Sequence, residues 1–230
     1  MSYRKKTEPV VTHWGVRFER IPVKTKILTP QDKISDIIKE YALPLMKPGD
    51  ILTISESPLA ITQGRAIPVS EIRVSPLAKL LSRYVAKVPY GIGLGAPTSM
   101  QCAIEETGIM RILFAAFIGA IGKLIGRKGD FYRVAGMQAA LIDAATTSPV
   151  PPYTDTVIKG PKNPQQICED LHSEFGYEFA VMDINDIGGC WMIGGSKGVS
   201  KHFIESVMKD NPQGQGDELT PFCIVRRVDN

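Results

Sequence analysis

The chain has 230 residues, a formal net charge of +3, 43% hydrophobic residues and 22% charged residues. That length buries a substantial core as one large domain or two small ones, and the composition excludes disorder except at the ends. So small a cationic surplus demands neither a nucleic-acid nor a membrane partner, although it suits anionic substrates such as phosphates.

Residues 1–12 read as a solvated tail, part of a flexible 1–14 segment ahead of one domain over 15–230, with a subdomain or insertion at 76–130. From Gly15 to Leu28 apolar Val16, Phe18, Ile21, Val23 and Ile27 alternate loosely with charged residues, which predicts one or two strands. Thr29-Pro30-Gln31-Asp32 opens a helix with Ile34, Ile37, Ile38 and Tyr41 on one face, stopping before Pro44. The turn Lys47-Pro48-Gly49-Asp50 launches a buried strand, Ile51 to Ser55. Glu56 to Gln63 crosses into Gly64-Arg65 and a short strand, Ala66 to Val69, whose proline confines it to an edge or an end. Pro76 starts a helix that carries Leu77, Leu80, Leu81 and Tyr84 inward.

Residues 89–99, PYGIGLGAPTS, form a glycine- and proline-rich loop, and their GxGxG is a weak match to a phosphate loop. Ile109 to Ile125 is the most apolar segment. It is shorter than the roughly 20 residues of a membrane span, and Arg111 and Lys123 interrupt it, so a buried helix is expected. Gly126-Arg127-Lys128-Gly129 has the GxxG spacing of KH RNA-binding loops, but Asp130 and a strand expected over Phe131 to Gly136 speak against nucleic acid.

Met137 to Asp143 leads into a stretch whose prolines at 149, 151 and 152 forbid regular structure. A short strand, Val157-Ile158, precedes a helix from Gln165 to Phe175 with Pro164 at its first turn and Ile167 and Leu171 inward. The apolar run Phe179 to Met182 predicts a buried strand opening onto Asp183, Asn185 and Asp186. Gly188-Gly189 and Gly194-Gly195 then allow sharp turns or a close approach to a ligand. That stretch is either a polar turn between core strands or a site. Ser200 caps a helix from His202 to Met208, and Pro221 to Val225 forms the last strand. Strands and helices interleave without a repeat, which predicts an α+β or mixed α/β fold.

Cys102, Cys168, Cys190 and Cys223 form no CxxC pair, and His13, His172 and His202 no HxxxH or HxH spacing, which argues against structural zinc. The amino terminus is basic and lacks the apolar core and cleavage site of a secretory signal, so a cytoplasmic protein with free thiols is expected. Asp143 and Asp186 stand near two strand ends and are either surface or capping acids or a metal pair, their hard oxygens suiting Mg2+ or Mn2+ with Asp183 or Asn185 orienting one of them. Arg65 either meets a phosphate or carboxylate or makes a structural ion pair. Asp50 is a ligand or the shaper of its turn, Trp191 is read as core, and Glu105, Glu106, Glu169 and Asp170 as solvated helix faces.

Three landmarks together resemble the coenzyme F420-0:L-glutamate ligases, which add glutamates by gamma linkage to a deazaflavin cofactor. They are Lys47 to Ile54 followed by Gln63-Gly64-Arg65, then Ile142-Asp143, and then Asn163-Pro164 with its helix and a strand ending in Asn185-Asp186. The resemblance implies a gamma-glutamyl ligase-like fold of mixed sheets, a homodimer, GTP as cosubstrate, and a deazaflavin or other acid with L-glutamate as substrates. It also implies Mg2+ or Mn2+ on Asp143 and Asp186, with Gly64, Arg65, Asn185, Gly188 and Gly189 at the nucleotide or substrate and Asp50 and Asp183 behind them. The family's two crossover lysines are Ser57 and Ile61 here.

Overall fold

The structure is a computed structural model describing residues 7–85, 93–127, 129–145, 147–185 and 189–228. Its elements run β1 (Val10–His13), β2 (Val16–Val23), α1 (Ile34–Ile37), β3 (Ile51–Ser55), α2 (Glu56–Thr62), β4 (Ala66–Pro68), α3 (Pro76–Ser82), α4 (Pro97–Thr107), α5 (Ile109–Leu124), α6 (Asp130–Ala135) and α7 (Met137–Ala140). They continue as β5 (Thr156–Ile158), α8 (Pro164–Phe175), β6 (Glu178–Ile184), β7 (Cys190–Gly195), α9 (Lys201–Val207) and β8 (Phe222–Val228). The chain divides into two compact units: Met1–Gly64 with Pro161–Asn230, and Arg65–Gly160. The expected α+β architecture is present, as a curled mixed sheet, a small second sheet and flanking helices.

In the first unit the sheet order is β1-β2-β8-β3-β6-β7. Only β3 and β6 pair in parallel, with Ile51 beside Glu178 and Ser55 beside Met182, and the other neighbours are antiparallel. Both faces of this sheet are covered, which explains why β6 reads as a continuous apolar run instead of an alternating one. Ala180 and Met182 pack with Cys223 and Val225 against Ile204, Val207 and Met208 around α9. Phe179 and Val181 point the opposite way, and the Phe179 ring meets Phe175 of α8 at 6.2 Å. Each buried Val, Ile, Met or Phe among these contributes about 1.5–3 kcal/mol.

The expected tail is shorter than residues 1–12. Val10–His13 forms β1, paired with β2 through the tight turn at Trp14 and Gly15, both at positive φ. The helix expected to end before Pro44 is α1 continued by a π turn over Ile38–Ala42, and a 3-10 turn at Leu43–Leu45 accommodates Pro44.

The second unit packs β4 and β5, antiparallel, with α3 to α7 around its own core, which includes Ala78, Met100, Ile104, Ile112, Ala115 and Val157. Three expectations are corrected here. On α3, Ala78 is fully buried while Leu80 and Tyr84 face outward, because the short helix seats itself through its smallest residue and the flanking Leu77 and Leu81. Phe131 to Gly136 is not a strand: α6 occupies Asp130–Ala135, since packing against α5 overrides the β-preference of Phe, Tyr and Val. A Cβ on Gly122 would stand 2.2 Å from Asp130 Oδ2 and one on Gly119 3.1 Å from Phe131 Cβ, so glycine on α5 is what lets the two elements approach. Finally, α5 is not a buried helix. Ile112, Ala115 and Gly122 face the core, but Met110, Phe114, Phe117 and Leu124 are each more than half exposed.

Among the described residues no single helix is long and apolar enough to cross a membrane. α4 and α5 meet that test only taken together, bent by 117°.

Candidate functional site

In open mixed sheets, ligands bind beyond the carboxyl ends of parallel strands. In this sheet that edge lies past Ser55 on β3 and past Met182 on β6. The next residues are Glu56, which opens α2 and is 7% exposed, and Asp183, which faces Trp191 across the β6–β7 ladder. Asn185 follows the last residue of β6 and pairs with Gly189. Its side-chain oxygen accepts from Gly189 N at 2.8 Å, and its backbone N–H donates to Gly189 O at 2.9 Å. The expected site residues Asp186 and Gly188 lie outside the described residues.

A Cβ on Gly189 would lie 2.4 Å from the Trp191 ring and 2.5 Å from Asn185 Nδ2, so a larger residue there would push both side chains aside. Trp191 is therefore not core. It is half exposed, and its indole lies over the hairpin. Gly194 and Gly195 serve packing: a Cβ on Gly194 would strike the backbone of Pro164, and the Gln165 amide brackets Gly195 through both its N–H and its carbonyl. Glu56 went unnoticed in the sequence because an acid opening a helix is ordinary capping chemistry. Its burial becomes visible only once β3 and β6 are known to be neighbours.

Asp50 sits at the opposite, amino end of β3. Five strand residues place it about 17 Å from the carboxyl edge. There its carboxylate accepts from Lys47 N at 2.8 Å and binds Arg226 through both oxygens, so it shapes the turn and ties it to β8. Gly64 takes φ +69 at the end of the crossover, where the α2 chain turns.

The second unit gathers Asp143 and Arg65 around β5. Asp143 bridges Ile158 by two backbone bonds, of 2.8 and 3.2 Å, while Ala66 pairs with Ile158 on the other side. Two strand spacings separate the flanking chains, about 10 Å. Arg65, 8% exposed, does not present its fork outward. Its Nε donates to Gly160 O at 2.5 Å, and its Nη2 donates to Glu106 at 2.9 Å and to Gln138 at 3.2 Å. Glu106 also accepts from Lys159 at 3.2 Å. Burial pushes the Glu106 carboxyl up, but the bonds and charges of Arg65 and Lys159 outweigh it and hold the group below the ordinary carboxylate range. Glu106 is thus the centre of an ion-pair network and not a solvated face.

The thiols are inert by the same physics. Burial pushes Cys102 up to about 11 and Cys168, Cys190 and Cys223 up to about 12, far from thiolate chemistry at neutral pH. All four are free cysteines. Among the described residues no three His, Cys, Asp or Glu side chains cluster as a ready-made metal cage. Carboxylate oxygens are by their chemistry ligands for hard cations.

At the GxxG loop, α5 precedes Gly126 and α6 follows Gly129, so helices flank it on both sides. Arg127 and Arg133 both pair with the buried Asp130 carboxylate, at 3.1 and 2.6 Å. One loop cation is therefore turned back onto the protein.

Glu56, Asp183 and the Asn185–Gly189 pairing thus lie at the carboxyl edge of the parallel β3–β6 pair, where open sheets bind ligands. The chain belongs to the F420-0:gamma-glutamyl ligase family, whose model matches residues 22–200 and so spans the whole of Arg65–Gly160 as well as the β3–β6 edge. The family is one of ligases. A search among curated proteins finds no match.

Proposed function

We propose that this protein is a nucleotide- and divalent-metal-dependent ligase that joins L-glutamate by an amide bond to a deazaflavin-bearing or other small acid, with GTP as cosubstrate. The observation that carries the reading is the family match over both units, together with Asp143 held by two backbone bonds beside the Arg65 end of β4. In such a reaction the substrate carboxylate attacks the terminal phosphorus and the nucleoside diphosphate leaves; the glutamate amine then displaces phosphate from the acyl phosphate. The chemistry that a bound Mg2+ or Mn2+ supplies is neutralisation of phosphate oxygens. Asp143 and Asp186 are the residues we assign to hold it, with Asp183 behind them.

The Asn185 side-chain nitrogen offers a donor to substrate beside Gly189, and the half-exposed Trp191 ring offers a flat apolar surface to a fused ring. Arg65 acts through Glu106, fixing the chain beside Asp143.

A second reading, a family member that binds a small acid without ligating it, draws on α2. Ile61 is buried where the family places a lysine, and Arg65 is committed to Glu106.

Thermal unfolding with GTP, ATP or neither, each with and without Mn2+, separates the two. A specific nucleotide at a hundredfold excess over its dissociation constant stabilises the native state by about 2.7 kcal/mol. A Mn2+-dependent GTP shift in the wild type, lost in both Asp143→Asn and Asp186→Asn, is expected, followed by glutamate addition in a product assay. Folded variants and a wild type that all ignore nucleotide would leave the binding-protein reading in place.

A further inference from the structure

α5 carries two apolar faces, and the fold uses only one. Ile112, Ala115 and Gly122 face the unit's core. On the other side Met110, Leu113, Phe114, Phe117, Ile121 and Leu124 are exposed by 76, 39, 58, 61, 42 and 86%. At about 100° per residue these six sweep an arc of roughly 100° around the helix, with no polar residue among them. With a large side chain worth about 150–200 Å² when fully exposed, they leave roughly 600 Å² of apolar surface along one helix. That reaches the upper limit for the largest patch on a monomer, about 300–600 Å².

The rim of this face is cationic. Around the helix Arg111 and Lys123, both exposed, fall one on each side of the stripe, between it and the core-facing residues. Past the carboxyl end, Arg127 and Arg133 share the single Asp130 carboxylate yet keep 60 and 66% of their side chains exposed, so that corner retains a net positive charge. No acid occurs between Glu106 and Asp130. The bias runs through the whole unit: Arg65–Gly160 holds 11 Lys and Arg against 6 Asp and Glu, a surplus of 5 where the full chain has 3. Positive charge is thus concentrated in the unit that bears the stripe, and the rest of the chain is net acidic.

An apolar strip bordered by long cationic side chains is the pattern of a helix lying in a membrane interface, where the stems follow the hydrocarbon and the charged heads stay with the phosphates. A free interfacial helix needs a polar opposite face to stay in solution. In α5 the unit's core occupies that face, so the helix is already formed and oriented before it meets lipid. A second helix fits the strip less well. A helix–helix seam uses a narrower apolar stripe, and another α5 would add cations with no acid to meet them.

We propose that α5 docks this protein on an anionic phospholipid surface, with Phe114, Phe117, Ile121 and Leu124 in the acyl boundary and Arg111 and Lys123 at the headgroup phosphates. Flotation of the full chain with vesicles of phosphatidylcholine and phosphatidylglycerol, compared with phosphatidylcholine alone, tests it. The wild type is expected to float with the mixed vesicles only. Its binding should weaken as salt rises from about 0.1 to 1 M and the screening length falls from about 10 to 3 Å. Phe117→Glu, on an exposed position, is expected to lower binding by roughly tenfold or more with far-ultraviolet circular dichroism unchanged. Lys123→Gln, which removes one cation, is expected to weaken it roughly fivefold. Phe117→Trp puts a reporter on the stripe. Its emission is expected to shift to the blue with mixed vesicles and to be quenched by brominated acyl chains, beyond any change in a wild type carrying Trp14 and Trp191. A wild type that does not float, equal binding to both vesicle types, undiminished binding by Phe117→Glu, or Phe117→Trp emission indifferent to lipid each overturns the proposal. A wild type that ignores vesicles yet sediments as a dimer split by Phe117→Glu also overturns it and assigns the stripe to a second copy.

Discussion

Glu106 shows how far a single residue's role is legible. In the sequence it is the second of two adjacent acids on a helix, and adjacency gives no clue to which of them faces inward. The fold turns Glu106 onto Arg65 and Lys159, while Glu105 stays half exposed. For Arg65 the sequence left two roles open, and burial beside a carboxylate selects the ion pair. Because the folded carboxyl of Glu106 lies below its ordinary value of 4.5, its stabilising contribution is complete above that pH and is lost as pH falls through the depressed folded value. Thermal midpoints followed from pH 7 down to pH 3 should therefore fall more steeply in the wild type than in Glu106→Gln. Parallel curves would remove Glu106 from the acid response. The Asn185–Gly189 pairing was half legible: Asn and Gly announce a turn, but nothing local says that Trp191 lies over it.

Among elements, β3, β6 and α8 are written plainly in the chain because both sheet faces are buried and Pro164 marks the helix start. α6 is not, since six residues rich in Phe, Tyr and Val carry no helical period and owe their form to the neighbour they pack on. That packing makes Gly122 a sensitive position. Gly122→Ala gains helix propensity of about 1 kcal/mol, yet its methyl would enter the space of the Asp130 carboxylate, itself held by Arg127 and Arg133. Overpacking of this kind costs about 1–3 kcal/mol, so the net effect in urea titrations should be a lower midpoint. A raised midpoint would show that α5 and α6 are less tightly apposed. α5 itself misleads a reader because hydropathy counts apolar residues and does not ask which of two faces they occupy.

At the scale of the whole molecule, the boundary of the second unit was only partly legible. A subdomain or insertion over 76–130 was anticipated, while the compact unit runs Arg65–Gly160, since β4 and β5, too short to stand out, close it from either side. Each unit's main apolar cluster is built from its own residues, so Arg65–Gly160 expressed alone should give a cooperative thermal transition; a featureless melt would show that its core depends on the rest of the chain. The chain enters and leaves this unit by two strands lying side by side. The Gln63 amide brackets Lys162 on the near side, and Arg65 bonds Lys159 and Gly160 on the far side. To the first unit, the second is therefore a closed ring whose ends are already held together. If the second unit melted, that ring would become a loose loop of about a hundred residues, with a closure entropy near 4 kcal/mol by the logarithmic law for flexible chains. Folding of one unit thus lowers the entropic cost of folding the other, and the two stabilities are linked through chain connectivity alone.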